Sequence, residues 1–181
     1  MDADEEVADS VLVEVKEEVG DRPCPTGPLS TACAAARSGI TAGAAPWADM
    51  AATAGLTSGH LAPLDAGALP DDEELWLALA TSVATRPPEP ASPLGVTEWL
   101  AAVAALTLWG PGTQADAESL AHLVSEADEK PEDAGPMVAA FTPVVERWSA
   151  LGAVDATERL TALGWWGLPE AQRRAWAGEI R

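Results

Sequence analysis

Apolar positions recur along this chain at helical spacing from residue 71 onward and only irregularly before it. Leu75, Trp76, Leu79, Ala80 and Val83 follow the acidic run Asp71-Asp72-Glu73-Glu74. Negative charge there meets the exposed N–H groups of a helix start, so the run predicts a helix over 71–85 rather than a metal site. Trp99, Leu100, Val103, Leu106 and Trp109 repeat the spacing behind the cap Thr97 and before Gly110-Pro111-Gly112, which predicts a helix over 97–109. Thr113 to Asp116 resembles a capping box with Asp in place of Glu or Gln. It opens a helix over 113–127 carrying Leu120, Leu123, Val124 and Ala127.

The stretch Thr142 to Trp176 holds four of the eight tryptophans. Thr142-Pro143 reads as a cap followed by proline at the first helical position. Val144, Val145, Trp148 and Leu151 then form one stripe, and Gly152 closes that helix, 142–151. Ala153-Val154-Asp155 leads into a tight connection and Arg159-Leu160-Thr161 leads out, with Leu160 inward. Thr161 caps a short helix bearing Leu163, Trp166 and Leu168, and a second turn runs from Pro169-Glu170 to Trp176.

Before residue 71 the pattern thins. Val11, Val13 and Val15 alternate as in a short strand, inside a tail of nine acids in twenty-one residues. Prolines and glycines punctuate 22–70 and leave room for two short helical pieces, Leu29 to Arg37 and Trp47 to Ala54. The expected organisation is an acidic, Pro/Gly/Ala-rich, partly disordered region over 1–70 and a helix over 71–85. A proline-rich linker over 86–96 and a helical domain over 97–181 complete it. The charged stretch 128–136 reads as loop.

Composition narrows the reading. The hydrophobic fraction is 48% but alanine supplies much of it, and aromatics are 5%, so the core leans on Leu, Val and Trp. The net charge is −19, and residues 1–130 hold twenty-two of the twenty-nine acids with half of the cations. Such acidity keeps a protein soluble, and secondarily suits the groove of a basic partner. Cys24 and Cys33 lack the neighbours of a zinc set or disulfide framework and read as free thiols of a reducing compartment. The N-terminus is acidic where a signal peptide is basic, and the longest apolar run, Leu100 to Trp109, is too short for a bilayer. A cytoplasmic protein without membrane contact follows by elimination.

The pattern of a helix ending Leu151-Gly152-Ala153-Val154, a short wing, then Arg159-Leu160-Thr161 and Gly164 resembles the end of winged-helix proteins, including regulators of the MarR kind. It is also similar to actinobacterial proteins that pair such modules. The resemblance covers at most 97–168, with helices 97–109, 113–127 and 142–151 as a trihelical core. It implies a mainly α fold, a small helical bundle with a short two-stranded wing, to which the composition adds a poorly ordered acidic N-terminal region. It also implies a DNA-binding transcriptional regulator, a reading that rests on fold analogy.

The residues themselves favour another role. The helix before the wing offers Thr142, Glu146, Arg147 and Ser149, and the span's only cations are Lys130, Arg147 and Arg159. Phosphate contacts need more positive charge than that. No nucleophile–base pair, phosphate-binding glycine loop or ligand set stands near His60 or His122, so no enzyme and no cofactor are expected. A protein-interaction or regulatory module remains, with a protein partner or self-association. Its candidate interaction residues are Trp165, Trp166, Arg173 and Arg174. The two adjacent tryptophans point about 100° apart on a helix, so both cannot face one core stripe.

Overall fold

The computed structural model describes residues 22–56, 71–85, 108–127 and 135–176. These residues form six helices: α1 Thr26–Thr41, α2 Trp47–Thr53, α3 Asp72–Thr85, α4 Ala117–Ala127, α5 Gly135–Ala150 and α6 Ala162–Trp176. The fold is mainly helical. The expected strand at 11–15, the linker 86–96, His60, Lys130 and the helix 97–109, apart from Leu108 and Trp109, lie outside the described residues.

The centre is a pair of helices, α3 against α6, with α1 and α2 laid on α3 and α4 packed along α5. α3 is buried on almost every side: Leu75, Trp76, Leu77, Leu79, Ala80, Thr81, Ser82 and Val83 are all inside. The sequence pattern names only one stripe of it, yet a helix apolar all round belongs in a core. Its two buried hydroxyls are satisfied locally, Thr81 donating to the Leu77 carbonyl and Ser82 to that of Leu79, both at 2.6 Å. Asp71 caps the helix as the acidic run predicts, accepting from the Glu74 N–H at 2.9 Å.

α3 and α6 approach closely because α6 presents glycine where α3 presents tryptophan. A Cβ on Gly167 would overlap the Trp76 ring, and one on Gly164 would overlap the Ala153 carbonyl. Trp76 rests there, with its indole N–H donating to the Leu151 carbonyl at 2.9 Å. A single side chain of α3 thereby touches α6 and the residue that ends α5.

Several elements differ from their sequence reading. Within the region expected to be loosely ordered, α1 runs well past Leu29–Arg37 and buries Leu29, Cys33, Ala36 and Ile40. Pro28 falls in its first turn, where proline is tolerated, and Gly39 is its point of contact with the Trp47 ring of α2. The buried cluster thus draws on residues from both sides of the proline-rich stretch at 86–93.

Thr113 does not cap α4. Its carbonyl accepts the Leu160 N–H at 2.9 Å, and the Ala115 N–H donates to the Glu158 carbonyl at 2.8 Å. That pairing holds 113–115 beside the hairpin, so the helix begins only after Asp116, whose carboxylate accepts from the Ser119 N–H at 2.6 Å. α5 begins at Gly135 and takes Thr142-Pro143 into its interior, where the Thr142 hydroxyl donates to the Val138 carbonyl at 2.8 Å. α6 is one helix with Pro169 inside it, not a short helix and a second turn.

The expected two-stranded wing is reduced among the described residues to two isolated antiparallel bridges, Val154–Leu160 and Gln114–Arg159. Its arms are short because helices claim both ends. Gly152, at φ 69°, closes α5 on one side, and Thr161 opens α6 on the other. Between them the Asp155 carboxylate accepts from the Thr157 hydroxyl and N–H and from the Arg159 N–H. Glu158 adopts a left-handed φ of 57°, the position that glycine usually takes in a three-residue hairpin loop.

The glycine contacts predict an inverted substitution pattern. Alanine is favoured over glycine by about 1 kcal/mol in an open helix, yet Gly167→Ala and Gly164→Ala should lower stability by roughly 1–3 kcal/mol through overpacking. Gly27→Ala, with nothing within 4 Å of the added carbon, should leave stability unchanged or raise it. Urea unfolding followed by circular dichroism reads all three, and a stabilised Gly167→Ala would refute the Trp76 contact.

Candidate interaction surface

Thr161 decides where α6 starts. Its hydroxyl accepts from the Gly164 N–H at 3.0 Å and donates to the Gly152 carbonyl at 2.7 Å, which ties the helix start to the end of α5. From there α6 buries Leu163, Trp166, Leu168 and Ala171. Its less covered positions are Ala162, Trp165, Glu170, Arg173, Arg174 and Ala175. Three of the four interaction residues expected from sequence are among these. The fourth, Trp166, turns inward.

The adjacent tryptophans split as helix geometry requires. Trp166 is 8% exposed, and its ring centroid lies 5.9 Å from that of Trp76, tilted by 52°, a core aromatic pair. Trp165 is half-buried. Arg22 reaches it from the start of the described chain, its guanidinium 4.1 Å from the ring centroid and its Nη1 donating to the Trp165 carbonyl at 2.6 Å.

Pro169 explains why that carbonyl is free. In a regular helix the Trp165 carbonyl would accept the N–H of residue 169, and proline has none. A half-buried acceptor without a donor is costly, and Arg22 supplies one from outside the helix. Two donors on the same helix are left over: Trp165 Nε1 and Gln172 Nε2 are both buried without a partner. Seven residues apart, they lie on one side of α6.

Arg173 and Arg174 are brought together around Glu170. Its carboxylate accepts from Arg173 Nε and Nη2, each at 2.8 Å, and from Arg174 Nε at 3.0 Å. Arg174 also reaches α3, with Nη1 and Nη2 each 3.0 Å from the two Glu74 oxygens, a paired geometry specific to guanidinium. Burial works against the Glu170 carboxylate, but the hydrogen bonds from Arg173 and Arg174 outweigh it and hold its pKa below the ordinary range. The Glu74 contact, against some desolvation, pushes Arg174 further up from an already high value.

A second electrostatic clamp joins α1 to α3. Asp72 accepts from the Ser30 hydroxyl and from Arg37 Nη1, both at 2.7 Å, and these two bonds in that order lower its pKa. Beside it the Cys33 thiol donates to the Asp72 carbonyl at 3.0 Å. Burial, with the Asp72 charge adding to it, raises that thiol to about 11. Both cysteines are free.

Among the described residues no cluster of three His, Cys, Asp or Glu side chains could hold a metal ion. No helix among them is long and apolar enough to cross a membrane. His122 is exposed on α4.

The sequence reading missed Arg22, Glu74, Glu170 and Gln172. Glu170 stands three and four residues before Arg173 and Arg174, a spacing that signals helical ion pairs. The assumed break at Pro169 hid it. Nothing in the sequence links Arg22 or Glu74 to α6.

The ion pairs set a direction for pH dependence. Glu170 has a lowered folded-state pKa, so its contribution is present above the unfolded value of about 4.3. It is lost as pH falls through the lower folded value. Glu170→Gln should therefore be less stable than the parent at pH 7, with the gap narrowing below about pH 4. Urea midpoints measured from pH 7 to 3 check this, and a gap independent of pH would contradict the ion-pair assignment.

Compared with protein-family models, with curated proteins and with solved structures, the chain gives no match.

Proposed function

We propose that this chain is a non-enzymatic protein-interaction or regulatory module of the cytoplasm, acting without a cofactor through a protein partner or self-association. In this reading its C-terminal half is winged-helix-like. α4 and α5 precede the 153–161 hairpin and α6 follows it. The Gln114–Arg159 bridge set beside Val154–Leu160 supports that arrangement, since three extended segments meet at the hairpin's base.

The observation that carries the choice of function is the solvent face of α5. Its exposed positions are Gly135, Pro136, Ala139, Thr142, Glu146 and Ser149, and its one cation, Arg147, is half-buried beside Glu146 in sequence. A helix that reads DNA from this place presents basic and polar groups to phosphates and base edges. The hairpin adds Asp155 and Glu158 beside one cation, Arg159, which is exposed and donates to the Gly112 carbonyl at 2.8 Å. α6, by contrast, offers the rim of Trp165, and aromatic anchors of that kind suit protein interfaces.

The alternative, a DNA-binding regulator, is separated by a mobility-shift assay at low salt. Micromolar protein should give no shift on duplex DNA. A shift that weakens steeply as salt rises would instead favour the regulator. On the protein side, a binding partner or second copy should be lost with Trp165→Ala while the far-UV circular dichroism is kept. Retention by that variant would move the interface off α6.

A further inference from the structure

α6 carries a guanidinium site that the chain fills with its own Arg22. From its geometry we infer that it is a recognition site for an arginine-bearing segment of a partner protein, with Arg22 as the resident stand-in. The inference deepens the interaction reading above by giving the partner a chemistry.

Two features of the site select a planar cation. The Trp165 ring lies 4.1 Å beneath the guanidinium carbon, and the Trp165 carbonyl accepts from Nη1 at 2.6 Å. Stacking on a π-face while donating from the edge is available to guanidinium, whereas an ammonium is a hydrated point charge. The acceptor is permanent, because Pro169 removes the only helical donor that could claim it. A carbonyl committed to the helix ladder would not be open to a side chain from elsewhere.

The resident arginine leaves part of the site unmet. Trp165 Nε1 is buried with no acceptor, a condition that costs free energy until an acceptor arrives. An incoming peptide brings backbone carbonyls on either side of its arginine, and Arg22 does not provide that acceptor. Trp165 and Arg22 are both half-buried, so the rim can be reached without opening the core. Arg22 lies on the short arm before Thr26, where α1 begins, and its withdrawal does not require any helix to unwind. A net charge of −19 steers basic segments toward the surface.

The test uses the full chain labelled with 5-fluorotryptophan, the Trp165 resonance being assigned by its loss in Trp165→Phe. The probe is a blocked Gly-Arg-Gly peptide, with the lysine and citrulline peptides beside it. In Arg22→Ala the arginine peptide should move the Trp165 resonance saturably toward its parent position. The lysine peptide, which loses the planar stacking group, and the citrulline peptide, which loses the charge, should each bind at least roughly tenfold more weakly. The parent, with Arg22 in place, should also bind the arginine peptide more weakly. No saturable shift in Arg22→Ala, or an equal response to citrulline, overturns the inference. Should Arg22→Ala lose fluorine dispersion, Arg22→Lys replaces it. That variant must bind the arginine peptide more tightly than the parent, and equal binding overturns the inference. An altered oligomeric state in Arg22→Ala without any peptide response would assign the site to a second copy, and so overturn the partner. Either failure leaves the interaction reading itself standing, since the mobility-shift and Trp165→Ala binding assays decide that reading without any arginine peptide.

Discussion

A tryptophan placed against a glycine holds the described structure together. Trp76 needs a flat, side-chain-free surface on one side and an acceptor for its indole N–H on the other, since burying that N–H unpaired costs free energy. Gly167 gives the surface and Leu151 the acceptor. Three helices converge on this side chain: α3 carries it, α6 lies under it, and the end of α5 receives its hydrogen bond. Trp166 then packs at a tilt against the same ring. With α3 fixed, its opposite side is free to be covered by α1 and α2, and the Cys33 thiol and the Arg37–Asp72 pair fasten that cover.

Two prolines inside helices are handled differently, and the difference explains why one position is structurally quiet and the other carries recognition chemistry. Pro143 frees the carbonyl of Ala139, which lies on the exposed side of α5 where solvent can bind it. Pro169 frees the carbonyl of Trp165, which is half-buried beneath an arginine. The same backbone lesion is therefore left to solvent in one helix and closed by a side chain in the other.

Much of the helical architecture is legible in the sequence, for physical reasons that vary by element. The acidic run before Leu75 and the hydroxyl of Thr161 announce helix starts because caps are local chemistry. Thr113 misleads because its backbone is claimed by Leu160, a contact nearly fifty residues away that no local pattern reveals. Pro143 and Pro169 mislead in the same way: proline weakens a helix locally, and packing of the rest overrides it. The α6 surface is half legible. Adjacent tryptophans must diverge on any helix, so their split is visible. That Trp165 would meet Arg22 is not, because the two residues are 143 positions apart.

The hydrogen bond from Trp76 to Leu151 spans 75 residues, and Gly167 lies further along still. During synthesis from the N-terminus, α3 emerges after α1 and α2 but well before α6, which covers its other side. An apolar helix with one acidic turn at its front therefore lacks the partner for its Trp76 ring until residues 162–176 have been made. The acids ahead of Leu75, which cap the helix in the finished protein, also set negative charge beside this apolar segment, the kind of flank that disfavours association of exposed hydrophobic stretches.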